Sequence, residues 1–337
     1  MDQEFKKQQS ALAPTDGKSL WDQYVYVDFL DEVDPFNDLH RFRQLEQAYT
    51  GDNTFWSTPS PEPNLDESFW HEVMSKLGND AIRETAQKLA AAIADWQPDP
   101  EKLIFVAILR AGVPIADWLC QMLPGSIVAA ISLFVGLGID RIALSRIRSN
   151  FPDRTILFVD GWTGRGGVSR EIATLNAGPL AVLIDPWGWA DFSGTQEDIF
   201  CPSACFTGAA TLGFSRTFFV NNRNFFAAYK FPKKYTRKEV VGTWRELSPK
   251  QPTTPGAISI EKFYKSTDLR IHGNEVCRAL INAAPTILFF ADEQEYVKEH
   301  FSLLLALANR RGVPVKYNHK SLRDYRTRVA CALKKLE

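Results

Sequence analysis

Between residues 65 and 96 apolar side chains return every three to four positions, at Phe69, Val73, Leu77, Ile82, Ala86, Leu89, Ala90 and Ile93. That rhythm predicts two amphipathic helices broken near Gly78. The rhythm changes at Leu103. From there to Leu109 every residue is apolar, as expected of a parallel strand covered on both faces. Ile127–Phe134, Thr155–Val159 and Leu180–Ile184 largely repeat that pattern, with helical stretches at Ile115–Met122 and Val168–Leu175. Strands alternating with helices in this way predict an α/β fold on a doubly wound parallel sheet, with ligands at the carboxyl ends of the strands. Val135–Asn150 reads either as a mobile loop over such a ligand or as a solvated helix, Ile139–Ile147.

The pattern is interrupted at Ser248-Pro249-Lys250-Gln251-Pro252-Thr253-Thr254-Pro255-Gly256, where three prolines mark a linker. Residues 1–18 read as a disordered tail, 19–247 as a larger domain with an N-terminal helical extension, 248–256 as the linker and 257–337 as a smaller α/β domain. In the smaller domain a strand is expected at Thr286–Ala291, a helix at Tyr296–Arg310 and a basic amphipathic helix at Ser321–Leu336.

A chain of 337 residues, 45% of them hydrophobic, has ample apolar surface for packed cores. No apolar run reaches the roughly 18 residues of a membrane span, and Met1–Ser10 is charged and glutamine-rich rather than signal-like. A soluble, cytoplasmic protein is expected. Five cysteines are scattered without a CxxC pair, which indicates neither a disulfide framework nor a zinc site. The net charge is −1, but from Thr253 onward 14 lysines and arginines stand against 9 acids, a local excess of +5. Such an end suits a polyanion.

Candidate chemistry concentrates after Val159. Asp160 ends a strand, and Gly161, Gly164, Gly166 and Gly167 follow within seven residues, just before a helix start. Glycines let the backbone turn sharply and come close to a ligand, and exposed amide N–H groups favour an anion. A Walker lysine is absent, because Val168 and Ser169 follow the last glycine, and the spacing does not fit a dinucleotide fingerprint.

The stretch resembles the ribose-phosphate loop of type I phosphoribosyltransferases, and Ile108-Leu109-Arg110-Ala111-Gly112 resembles the pyrophosphate loop of the same family. The resemblance implies that Asp160 holds the ribose hydroxyls and Mg²⁺. It assigns the 5′-phosphate of phosphoribosyl pyrophosphate to Thr163, Gly164, Arg165, Gly166, Gly167, Val168 and Ser169. Arg110, Ala111 and Gly112 would take the pyrophosphate, with Arg110, Asp160 and Asp185 as the catalytic group. Gly161 stands where the family has a second acid.

Further segments, Gly136–Asp140, Phe158–Gly164, Gly194–Asp198, Pro202–Cys205 and Ser215–Thr217, are similar to a phosphoribosyltransferase-like family of tellurite-resistance and stress gene clusters. That family is also described as the cysteine protease StiP. Cys205 would be the nucleophile of such a protease, or a small buried residue; no histidine lies between residues 72 and 271. The family's Asp-Phe-His-Gly-Ala run is here Asn224-Phe225-Phe226-Ala227-Ala228.

The C-terminal segment Gly273-Asn274-Glu275-Val276-Cys277-Arg278 resembles the pelota and kink-turn-binding family, small α/β/α sandwiches that bind RNA. The resemblance implies RNA contacts from Gly273, Asn274, Glu275 and Arg278; an ordinary N-cap with a first-turn acid is the plainer alternative. The combined expectation is a phosphoribosyltransferase coupled to RNA binding, with a non-catalytic ribose-phosphate or RNA binder and a thiol protease as alternatives. The acceptor and the oligomeric state stay open.

Overall fold

The computed structural model describes residues 21–44, 56–77, 80–250 and 269–333. The expected tail at 1–18, residues 251–256 of the expected linker and residues 334–336 of the expected last helix lie outside them. The strands before the proline-rich stretch are β1 (Tyr24–Val25), β2 (Asp28–Glu32), β3 (Leu103–Ile108), β4 (Ile127–Ile131), β5 (Leu133–Phe134), β6 (Gly138–Ile139), β7 (Thr155–Trp162), β8 (Leu180–Ile184), β9 (Phe192–Thr195) and β10 (Ala227–Lys230). The helices there are α1 (Glu67–Leu77), α2 (Asp80–Trp96), α3 (Gly112–Met122), α4 (Arg141–Asn150), α5 (Gly167–Ala173) and α6 (Lys238–Glu246).

Six strands form one parallel sheet in the order β1-β4-β3-β7-β8-β9. The chain moves outward from β3 to β4, then returns across it to β7, so the direction of winding reverses between β3 and β7. Both faces of the sheet are covered, which is why β3 reads as an unbroken apolar run. Leu103, Phe105, Ala107, Leu157 and Val159 pack into one core with α2 and α3, and Ile104, Val106, Ile108, Ile156 and Phe158 into another with Ala143, Leu144 and Ile147 of α4. Each such side chain contributes roughly 1.5–3 kcal/mol by burial. On the first face α6 is locked to α3 by stacked Trp118 and Trp244, ring centroids 3.9 Å apart, each indole N–H donating to a carbonyl on the other segment.

The segment 141–150 is a helix rather than a loop. Asp140 caps it by accepting from the Ala143 amide, and its other oxygen accepts from the Phe226 amide. A short antiparallel pair, β5 with β6, precedes it.

After residue 269 come β11 (Leu269–Ile271), α7 (Gly273–Asn282), β12 (Ile287–Phe290), α8 (Gln294–His300), α9 (Ser302–Arg311), β13 (Val315–Lys316) and β14 (Val329–Ala332), with a mixed sheet in the order β11-β14-β12-β13. The basic helix expected at 321–336 is replaced by a short 3-10 segment, Lys320–Tyr325, and by β14. Arg326 takes a positive φ of 51°, which ends the turn, and Val329–Ala332 is a wholly buried strand between β11 and β12. The two modules share a core: Val276, Cys277 and Leu280 of α7 pack in the same cluster as Cys201, Ala204 and Cys205. No helix among the described residues is long and apolar enough to cross a membrane.

Candidate functional site

The two loops singled out by sequence meet at the point where the winding reverses. A Cβ on Gly112 would lie 2.1 Å from the Val159 carbonyl oxygen, and one on Gly161 would lie 3.3 Å from that of Ala111. The start of α3 is therefore pressed against the end of β7, and a side chain at 161 would crowd the Ala111 carbonyl. The Leu109–Arg110 peptide is cis. Above the two loops opens a cleft of about 490 Å³. Its walls are the 109–111 and 163–170 loops, an apolar side formed by Trp56, Phe134 and Val135, and the face of α7 carrying Glu275, Arg278 and Asn282. Six arginines, at 110, 165, 170, 216, 270 and 278, line it against two carboxylates, Asp160 and Glu275.

The glycines of the 163–169 loop are required by what packs on them. Gly166 has φ +74°, and a Cβ there would run into the Trp189 ring at 2.3 Å; one on Gly164 would meet the Glu275 side chain at 2.7 Å. Helix α5 has only two turns, so an anion here would be held by the bend and the surrounding arginines rather than by a long helix dipole.

Asp160 faces the cleft, with Oδ1 accepting from the Gly161 amide at 2.8 Å. Its carboxyl is pushed up to about 7, first by burial and further by Glu275, while the Gly161 amide and Arg278 oppose the rise. Asp185, expected in the catalytic group, is fully buried below the loop instead. It accepts from the Thr163 hydroxyl and from the Trp189 and Ala190 amides at 2.9 and 2.7 Å, and so shapes the bend. Thr163 is thereby turned away from a phosphate. Ser169 donates its hydroxyl to the Trp189 carbonyl at 2.6 Å. Of the expected phosphate residues, the hydroxyls hold the loop, and the main chain of Gly164, Arg165, Gly166, Gly167 and Val168 borders the space.

Arg110 is clamped rather than left to a pyrophosphate. Its guanidinium pairs with Glu62 at 2.5 Å, with side chains 6% and 1% exposed, and also donates to Asn282 of α7 at 3.2 Å; Glu62 accepts in addition from the Gly208 amide. Ala111 lines the cleft beside it.

The four residues expected to meet RNA are turned toward the larger module. The Gly273 amide donates to Asp198. The Asn274 amide group, 1% exposed, receives the Cys201 N–H and donates to the Ile199 carbonyl. Glu275 accepts from the Trp162 indole at 3.0 Å, and Arg278 donates to the Ala204 and Phe206 carbonyls. In this arrangement Asn274 is buried against the larger module, and Glu275 and Arg278 border the cleft.

Trp56, Glu62, Arg270 and Asn282 join the site from stretches that carry no motif. Arg216, quoted only for its family motif, lies 4.7 Å above the Phe134 ring, which Phe226 supports by stacking from behind at 5.5 Å. Phe226, at the position of the family's histidine, thus props the apolar wall.

Cys205 is 0% exposed, and its sulfur lies 3.6 Å from that of Cys277. Burial and the Cys277 thiol push it well above the ordinary thiol range. Among the described residues no hydrogen bond joins a histidine to a cysteine. His272, 1% exposed and packed edge-on against Trp187, is held below the usual histidine range by its burial.

Parallel sheet, reversal point and cleft together define an α/β protein with an arginine-lined cleft at the carboxyl edge of its strands. The chain belongs to the family described as "Tellurite-like stress resistance cysteine protease StiP", whose profile matches residues 48–244, more than half of its length. It is 30% identical over 145 residues to the cysteine protease StiP of Acinetobacter baylyi (strain ATCC 33305 / BD413 / ADP1), a match covering 39% of this chain and 37% of that protein. The chain therefore spans little more than a third of the length of that curated relative. Among solved structures, L-threonine transaldolase from Pseudomonas fluorescens aligns at a TM-score of 0.20 and 14% identity, over 54% of this chain and 42% of the other, a likeness too slight to bear on fold or function.

Proposed function

We propose that the cleft binds phosphoribosyl pyrophosphate and that the protein is a phosphoribosyltransferase on a doubly wound sheet of the type I kind. The observation that carries this reading is the cleft itself: a glycine bend at the reversal point, a carboxylate at the end of β7, and six arginines against two acids. Main-chain groups of 164–168 would receive the 5-phosphate, and Asp160 the ribose hydroxyls. Arg216, Arg270 and Arg278 supply positive charge toward the pyrophosphate as the C1–O bond breaks and its electron pair leaves with that group. Trp56 in the apolar wall offers a ring against which a planar acceptor can pack before its nitrogen or oxygen bonds to C1.

Among the described residues no group of three or more His, Cys, Asp or Glu is arranged to hold a metal unaided. Mg²⁺ usually takes one or two carboxylates and completes its shell with water and the ligand's phosphate oxygens. Asp160 is the carboxylate that would hold it, and the ion would offset pyrophosphate charge.

Release of pyrophosphate on mixing the protein with phosphoribosyl pyrophosphate, Mg²⁺ and a panel of bases and nucleosides tests the transferase. Tight binding with no release points to a non-catalytic ribose-phosphate binder. The name of the family favours a second reading, a thiol protease acting through Cys205; loss of a defined proteolytic activity in Cys205→Ala, with the fold intact, would support it. An RNA partner for the C-terminal module is tested by binding against salt: a steep decline of affinity with ionic strength is expected, and a flat response counts against it.

A further inference from the structure

The cleft carries one carboxylate that no reading of the larger module alone requires. Glu275 comes from α7, beyond the proline-rich stretch, yet its side chain lies against the bend after β7. It is aimed from two sides. Oε1 receives the Trp162 indole N–H at 3.0 Å, from the larger module, and Oε2 stands 3.7 Å from the Arg270 guanidinium, from the smaller one. The loop is built to admit it, since the place a Cβ of residue 164 would occupy is 2.7 Å from the Glu275 Cγ. Asp160 borders the same cleft and feels the Glu275 charge.

A carboxylate only accepts hydrogen bonds, so the part of a ligand lying between Asp160 and Glu275 has to donate them. In a cleft otherwise rich in arginine, the matching ligand is anionic at one end and hydroxylated at the other. Position 161 is a glycine beside the Ala111 carbonyl, and the C-terminal module brings an acid to the same cleft.

We infer that Glu275 is the second acceptor of a sugar diol, opposite Asp160, so that the cleft selects a ribose 5-phosphate group and is complete only with the C-terminal module in place. The inference rests on the sugar-phosphate reading of the cleft and adds a specificity residue to it.

Isothermal titration of the full chain with ribose 5-phosphate, its 2-deoxy and 3-deoxy analogues and inorganic phosphate tests it. Wild type is expected to favour ribose 5-phosphate over each deoxy analogue by roughly ten- to a hundredfold, the range for one hydrogen bond to a charged group. Glu275→Gln keeps an acceptor for Trp162 but loses the charge. It should abolish the discrimination at one of the two hydroxyls while leaving inorganic phosphate affinity within about twofold, a split that a purely structural role would not produce. Unchanged discrimination at both hydroxyls in Glu275→Gln, or no discrimination by a wild type that binds phosphate, overturns the inference alone. Failure of wild type to bind any of the four overturns the sugar-phosphate reading and this inference with it.

Discussion

Glu62→Gln tests how the cleft is held open. Glu62 accepts on both oxygens, from Arg110 on Oε1 and from the Gly208 amide on Oε2, and its side chain is 1% exposed. Glutamine has one acceptor oxygen, so its NH₂ must face either the Arg110 guanidinium or the Gly208 N–H. Removing one partner of a buried pair costs roughly 3–5 kcal/mol, because the other charge stays buried. At about 2 °C per kcal/mol, the low end for large domains, the melting temperature should fall by about 6–10 °C. Glu62→Leu combined with Arg110→Met, which replaces both charges by apolar groups, should recover much of that loss. Thermal unfolding followed by circular dichroism at fixed protein concentration measures both variants. A Glu62→Gln protein melting within about 2 °C of wild type would show that Arg110 does not depend on this clamp.

Asp160→Asn should change the pH dependence of stability. With the native carboxyl raised to about 7 and the unfolded one near 4, the folded state holds the extra proton between those values, so wild type loses stability as pH rises through that window. The variant should lack this decline and be the more stable above pH 7, with the gap closing toward pH 4; parallel stability curves would refute the assignment. Gly166→Ala combines a positive φ with a Cβ 2.3 Å from the Trp189 ring and should cost roughly 1–3 kcal/mol while weakening phosphate binding; an unaltered variant would mean that the bend tolerates displacement. Cys205 and Cys277, both fully buried, should resist iodoacetamide at pH 8 in the native protein and react on unfolding; rapid native labelling of Cys205 would point instead to an activated nucleophile.

The apolar runs made the sheet legible, because a strand covered on both faces must be apolar at successive positions, and β3, β7 and β8 lie where those runs are. The adjacency of the two loops was legible in their chemistry, through Arg110-Ala111-Gly112 and the glycines after Asp160. What local pattern could not convey is where side chains go once distant segments meet. Asp185 sits at a strand end as a ligand residue would, yet three donors of its own bend consume it. Asn274 and Glu275 follow a nucleic-acid motif in order, but a shared core turns their helix onto the larger module. The basic stretch at 321–333 has helical charge spacing, while the pairing of Val329–Ala332 between β11 and β12 outweighs that propensity. Glu62 gave no signal, because its partner lies 48 residues away and the need for it arises only when Arg110 is buried.

Titration calorimetry of the full chain with phosphoribosyl pyrophosphate in the presence of Mg²⁺, beside Asp160→Asn, is the most direct test of the cleft as a sugar-phosphate site. The expected result is one site per chain, with affinity rising from pH 6 to pH 8 as Asp160 ionises and falling at least tenfold in the variant. Absence of binding to wild type, or equal binding by the variant across that pH range, would contradict it.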